Sequence, residues 1–502
     1  MFSSVILAID QGTTSTRAVV YDAATFRDLG SAAKEIAQHY PQPGWVEHDA
    51  SEIWASVADV VPHALTAARV EAKSIAAIGI TNQRETVLLW DRNTGKPIGR
   101  AIVWQDRRTT DFCREHAAEQ PFLQARTGLV LDPYFSATKI RWMLEGDASL
   151  RMLARNNQIA CGNIDSWLIW NLTGRQSHVT DVTNASRTLL YNIHLFRWDE
   201  ELCRYFGVPA ACLPQVKLSA EPLGTTRGLG FLPDGIPITG VAGDQQAALF
   251  GQCAFAPGEA KCTYGTGAFF LLHTGMAAVA SKHKLLTTVA AMTKVEPRYA
   301  LEGSVFVAGA AVQWLRDGLN LFTKAEDTLE LAMKSNPVEP VLFVPAFVGL
   351  GSPYWEPEAR GALLGLTRGT TKADVARASL EGVAYQVADL IDAARNDMGA
   401  PLTALRVDGG MARNDWFLQC QADTLGLPVL RSPASESTAL GAAFLAGIGC
   451  GMWKSEDDLR KVLSEAKRFE PKLAGEDRDR RLARWRKAVQ AVIAFADSTT
   501  QR

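Results

Sequence analysis

The sequence predicts an α/β fold built in two halves. Short β-branched runs alternate with longer amphipathic stretches along the chain. A strand, a glycine–threonine turn and a second strand occur near the start and again about 250 residues later. At 502 residues the chain can bury more than one hydrophobic core.

The elements follow in order. Residues 5–10 read as a buried strand and 18–21 as a second, with Gln11 to Arg17 as the hairpin turn between them. Residues 51–69 read as a helix with Ser51 as N-cap. Residues 75–81 and 86–91 read as another strand pair, ahead of a turn at Asn93-Thr94-Gly95. An apolar strand spans 238–242. Residues 260–264, Gly265-Thr266-Gly267 and 268–272 repeat the hairpin pattern. A strand at 404–406 leads to a helix from about Asn414. The most apolar stretch, 439–453, is shorter than the ~20 residues that span a bilayer. Residues 476–487 read as a solvated amphipathic helix, with Leu482, Trp485, Val489 and Ile493 inward. The division is placed near residue 250, giving halves 1–250 and 251–502.

Composition excludes several classes. Lys+Arg is 52 and Asp+Glu is 54, a formal charge of −2, which steers nothing toward nucleic acid or anionic lipid. With 47% apolar and 21% charged residues the chain is globular, not disordered. The eight cysteines are too far apart for a zinc knuckle and read as buried small hydrophobes. The eight histidines do not cluster. A P-loop, a dinucleotide fingerprint, a nucleophile elbow and a His-Glu-x-x-His helix are all absent. The start, Met1-Phe2-Ser3-Ser4, lacks the basic flank of a secretory leader, and Asp10 breaks the apolar run behind it. A cytoplasmic protein is expected.

Asp10-Gln11-Gly12-Thr13-Thr14-Ser15-Thr16-Arg17 is the strongest local signal. A carboxylate ends a buried strand, a glycine turns the backbone, and hydroxyls follow. Backbone N–H groups and hydroxyls bind phosphate oxygens, a carboxylate holds Mg²⁺ through water, and Arg17 adds a charged donor. Gly265-Thr266-Gly267 and Asp408-Gly409-Gly410 are shorter signals, the latter allowing close approach of a flat ligand such as adenine. Each, taken alone, also fits an ordinary tight turn. Their order along the chain is far more specific.

That order resembles the sugar-kinase, Hsp70 and actin superfamily, and within it the FGGY family of carbohydrate kinases. Pro43-Gly44-Trp45-Val46-Glu47-His48, Thr81-Asn82-Gln83-Arg84-Glu85-Thr86, Thr183-Asn184-Ala185-Ser186-Arg187 and Gly243-Asp244-Gln245-Gln246-Ala247 look like the family's glycerol-phosphorylating branch. The resemblance runs from about Val5 to past Trp453. It implies two RNase H-like (actin-like ATPase) domains, each a mixed five-stranded sheet flanked by helices, with a cleft between them. It implies transfer of phosphate from MgATP to glycerol, giving sn-glycerol 3-phosphate. A kinase for another polyol or a ketopentose is the alternative, and a nucleotide-driven switch protein without an acceptor is a third reading.

The resemblance also implies residue roles. Asp244 is the general base. Arg84 and Glu85 clamp the polyol, an arginine supplying only donors and an ionised glutamate only acceptors. Tyr134 and Gln245 add polyol contacts, and Trp104 and Phe269 form an apolar wall. Thr13, Thr14, Ser15 and Arg17 face the phosphates, as do Thr266 and Gly267. Gly309, Gln313, Gly410 and Asn414 lie toward the adenosine. Asp10 and Asp244 face Mg²⁺. A homodimer or homotetramer is implied, and closure of the domains over the acceptor. Some members bind fructose 1,6-bisphosphate through a glycine- and arginine-rich loop. The matching stretch, 227–235, holds one cation, Arg227, and an opposing Asp234, so that inhibition is expected to be absent. Other members are activated by phosphorylation of a histidine in this region. Residues 217–239 contain no histidine, so that switch is expected to be absent too.

Overall fold

A computed structural model describes residues 4–336, 341–434, 436–462 and 466–499. Met1, Phe2 and Ser3, which bear on the expectation of no leader, lie outside the described residues.

Two mixed sheets organise the molecule. The first runs, edge to edge, Gly224–Thr225, Pro237–Gly243, Ile75–Asn82, Val5–Gln11, Ser15–Asp22 and Asp28–Glu35. The second runs Leu286–Val289, Tyr299–Val305, Ala268–Gly275, Ala260–Tyr264, Leu405–Asp408, Val429–Arg431 and Lys467–Phe469. Each contains the same five-strand plan. Three strands form an antiparallel meander, a later strand joins its first strand in parallel, and a second later strand joins that one in parallel. The totals are six and seven strands, not five. The additions are short antiparallel strands on the outer edges, where they occupy backbone groups that an open edge would expose.

Two local expectations are corrected. Residues 75–81 and 86–91 do not pair. Val87–Asp91 belongs to a separate antiparallel sheet with Glu47–His48, Pro97–Ile102 and Ile159–Asn163. The chain is redirected between them by a tight turn, in which Thr86 N–H donates to Arg84 O and Glu85 has φ of 61°. The first helix is Ala50–Ala68, and its N-cap is Asp49 rather than Ser51. The Asp49 carboxylate accepts from the N–H groups of Ser51 and Glu52 and starts the helix one residue early.

Alternation along Val5–Gln11 sends Val5, Leu7 and Ile9 to one face and Ile6 and Ala8 to the other. The first face packs on Ile53, Val57 and Val60 of the Ala50–Ala68 helix. The second packs on Ala439, Ala443 and Phe444 of Ser437–Gly449. This Ser437–Gly449 helix is the apolar stretch noted in the sequence. It follows all but the last strand of the second sheet in the chain yet covers the first. Its approach is backbone-close: a Cβ on Gly79 would strike Ala442 O, and one on Gly441 would strike Ala247 O. The second sheet packs on Lys372–Met398, Asp415–Leu425 and Gly475–Thr499. In the last of these, Leu482, Trp485 and Val489 are buried and Ile493 is half-buried. Six cysteines are buried and Cys420 and Cys450 partly so. Among the described residues no helix is long and apolar enough to cross a membrane.

Candidate active site

The parallel strands end on one side, where open α/β sheets place their ligands. Asp10 is near the end of Val5–Gln11, Arg84 and Glu85 follow Ile75–Asn82, and Asp244 follows Pro237–Gly243. From the second sheet come Thr266 after Ala260–Tyr264 and Asp408 at the end of Leu405–Asp408.

The two hairpins are prepared for anions in the same way. In the first, Gly12 O accepts from the Gln83 side chain (3.1 Å), Thr13 O from Gln38 (2.8 Å) and Thr14 O from Ile36 N–H (3.0 Å). In the second, Gly265 O accepts from Gly309 N–H (3.0 Å) and Thr266 O from Ala308 N–H (2.8 Å). With the carbonyls held back, the N–H groups of Thr13, Thr14, Thr266 and Gly267 have no acceptor among the described residues. Such consecutive free N–H groups make an anion cradle. A Cβ on Gly267 would lie 2.6 Å from Val305 O, so the turn requires glycine. Gly409 has φ of 89°, and the position a Cβ would take on Gly410 is open space, which suits a flat ligand lying against backbone.

The remaining nucleotide-side residues are placed variously. Ser15 opens its strand, partly exposed. Arg17 pairs with Glu436, just ahead of the Ser437–Gly449 helix. Gly309 begins the Gly309–Asp317 helix, on which Gln313 is exposed. Asn414 caps Asp415–Leu425, its side chain accepting from Phe417 N–H at 3.1 Å.

On the acceptor side, Asp244 begins the Asp244–Gly251 helix. Its Oδ1 accepts from Gln245 N–H (2.7 Å) and lies 3.3 Å from Arg84 Nε, while the side chain stays 29% exposed to the cleft. Arg84 is buried. Its Nη1 donates to Glu302 Oε2 (2.6 Å) and Gln246 Oε1 (3.1 Å), and its Nη2 to Glu302 Oε1 (2.9 Å). Glu85 Oε1 accepts from Arg187 Nε (2.6 Å), and Arg187 Nη2 donates to Glu302 Oε1 (2.9 Å). Trp104 stands between Tyr134 (ring centroids 5.5 Å apart) and Phe269 (6.5 Å), forming the wall, and its indole N–H donates to Thr13 Oγ1 at 2.9 Å. Lys261, also buried, donates to Gln245 Oε1 and to Thr263 Oγ1. Because a lysine only donates, the Gln245 oxygen must face it, which turns the amide nitrogen away from the lysine.

Electrostatics sharpen the picture. Burial and the nearby Asp244 carboxylate push Asp10 up to about 7, against the pull of Arg17. Burial would raise Glu302 as well, but Arg187 and Arg84 outweigh it and hold the group at about 2. Glu85 is raised, burial prevailing over Arg187 and Arg84. Burial lowers Lys261 despite Asp408. Two crowded carboxylates, Asp10 and Asp244, present hard oxygen donors, the set that Mg²⁺ takes alongside water and phosphate. Among the described residues no cage of three or more His, Cys, Asp or Glu forms.

Glu302, Arg187, Gln246 and Lys261 were given no role from sequence. For Glu302 and Lys261 the signal is a charge inside a buried run: Glu302 sits within Tyr299–Val305 and Lys261 within Ala260–Tyr264, strands otherwise apolar or small.

A duplicated sheet plan, two hairpins with unpaired N–H groups and a cluster of polar donors and acceptors beside an aromatic wall are the parts a nucleotide-dependent small-molecule kinase needs. The N-terminal domain model of the FGGY family of carbohydrate kinases matches residues 5–251, and the C-terminal domain model matches 260–450. The chain belongs to the FGGY family of carbohydrate kinases. It is 54% identical to a glycerol kinase of Deinococcus radiodurans over 496 residues, covering 98% of each chain. It is 48% identical to one from Lactococcus lactis, over 98% of this chain and 99% of the relative. The crystal structure of Plasmodium falciparum glycerol kinase with ADP superimposes with a TM-score of 0.92 at 38% identity, covering 98% of both chains.

Proposed function

We infer that the chain transfers the terminal phosphoryl group of ATP to glycerol, yielding sn-glycerol 3-phosphate, ADP and a proton. One observation carries this: Arg84 reaches both Asp244 (3.3 Å) and Tyr134 (3.4 Å) beside the Trp104–Tyr134–Phe269 wall, and Trp104 is bonded to Thr13 of the first hairpin (2.9 Å). Relatives about 50% identical over nearly the whole chain support the acceptor.

In this reading glycerol lies with its carbons on the aromatic wall. Arg84 donates to its hydroxyl oxygens and Glu85 accepts from a hydroxyl. Asp244 Oδ2 takes the proton of the attacking primary hydroxyl as the new O–P bond forms and the bond to ADP breaks. Thr13, Thr14, Ser15, Thr266 and Gly267 hold the phosphates. Gly309, Gln313, Gly410 and Asn414 border the nucleoside. Arg17, already paired with Glu436, tempers the charge around Asp10. Asp10 and Asp244 would hold Mg²⁺, which neutralises phosphate charge when bound.

The family models, ending at 251 and resuming at 260, support a division near residue 250. A homodimer or homotetramer and a cytoplasmic location complete the proposal; light scattering tests the first and fractionation the second. In the 227–235 loop, Gly228 N–H is already taken by the Asp234 carboxylate at 2.7 Å. Millimolar fructose 1,6-bisphosphate is therefore expected to leave the rate unchanged, and a clear loss of activity would contradict it.

The deciding experiment is ATP consumption with Mg²⁺ and glycerol, dihydroxyacetone, erythritol, xylulose or no acceptor. Turnover strongly favouring glycerol is expected. Preference for another acceptor voids the polyol assignments, and equal turnover without acceptor voids the kinase reading.

A further inference from the structure

Arg84 has two hydrogen-bonding edges. The outer edge, Nη1 with Nη2, is closed by the Glu302 carboxylate, and the second Nη1 proton goes to Gln246. What remains is the side edge: Nε–H and one Nη2 proton. That edge looks toward Asp244 Oδ1, 3.3 Å from Nε, and Tyr134 Oη, 3.4 Å from Nη2. Two parallel donors on a rigid plane fit two adjacent oxygens, and in this pocket those are neighbouring hydroxyls.

Glu302 comes from the second sheet, and Arg84 follows a strand of the first. Arg187 binds Glu302 and Glu85 at once, so both halves of the clamp are tied to one carboxylate. Gln246 adds another tie, its amide donating to Thr288 Oγ1 (3.1 Å) and Val289 O (3.3 Å) of the second sheet. All four charged groups are buried, two positive and two negative.

We propose that Glu302, braced by Arg187, is a positioning residue that selects the edge of Arg84 offered to the acceptor, so that recognition of a vicinal diol is complete only when the second domain is in place. Glu302 touches no reacting atom. It acts by denying Arg84 its other edge and other rotamers. This rests on the glycerol-phosphorylating reading above.

The test compares wild type with Glu302→Gln, using glycerol and 1,3-propanediol, which lacks the neighbouring hydroxyl. Glu302→Gln should lower kcat/KM for glycerol by about tenfold to a hundredfold, the effect of a misdirected charged hydrogen bond. The fall should lie mainly in KM. The KM for ATP should hold within about threefold, and kcat/KM for 1,3-propanediol should fall far less, narrowing the preference. Glu302→Asp keeps the charge but withdraws it by one methylene, and carries the same test if the neutral variant does not fold. An unchanged glycerol KM overturns the proposal. Equal losses on both acceptors and on ATP also overturn it, since a merely structural role would produce that. A wild type that does not prefer glycerol sinks the underlying reading instead, and is seen before any variant is made.

Discussion

Asp244 spends one carboxylate oxygen on its own helix and keeps the other for the cleft. Asp244→Asn preserves the shape and removes the proposed base. Its kcat should fall by about 10²–10⁴-fold with little change in glycerol KM; steady-state kinetics decide, and a retained kcat removes Asp244 from that role. Lys139 shows a different kind of control. It is buried, and its ammonium donates to Tyr134 O (2.7 Å) and Phe135 O (3.2 Å), fixing the loop that presents Tyr134. Burial lowers it from 10.5 to about 8. Between these values the unfolded chain binds the extra proton and the folded one does not, so this group's contribution to stability rises with pH across that window. The melting temperature of wild type relative to Lys139→Met should therefore climb from pH 8 to pH 10; a flat difference would refute it. Residues such as Asp10 and Arg84 were legible because they stand in motifs. Glu302 was not, because its partner Arg84 lies 218 positions away, and nothing local announces the pairing.

Both hairpins were readable from strand–turn–strand spacing, since a tight turn is written in adjacent residues. The pairing of 75–81 with 86–91 misread the sequence because alternation shows that a strand exists, not which sheet it joins. The turn at Glu85 that separates them uses a left-handed residue that is not glycine, so no composition signal marks it. The Ser437–Gly449 helix illustrates the same limit. Its apolar, glycine-rich composition says it is buried, but only the structure shows Gly441 against Ala247 O, on the helix that begins with Asp244. Gly441→Ala should cost about 1–3 kcal/mol of stability and, by shifting that helix, lower kcat as well. Chemical denaturation and kinetics on the same preparation test both, and unchanged stability would show that the contact yields without strain.

At the scale of the molecule, the repeat of one five-strand plan explains why so much of the fold could be anticipated from two hairpins half a chain apart. The short edge strands could not be anticipated, since two to four residues carry no usable period. Buried ties cross from one sheet to the other at the clamp, through Glu302, Gln246 and Lys261. Order along the chain and order in space part company at the Ser437–Gly449 helix, which seals the face of the first sheet made by Ile6, Ala8 and Ala77. A fragment ending at residue 250 would leave that face bare. Expressed alone it should aggregate, and recover when co-expressed with residues 251–502. The intact chain should melt in one calorimetric transition rather than two, because the first half does not own a complete interior: a single helix from the far end of the polypeptide is its lid, and the enzyme is laced shut before it can be cut in two.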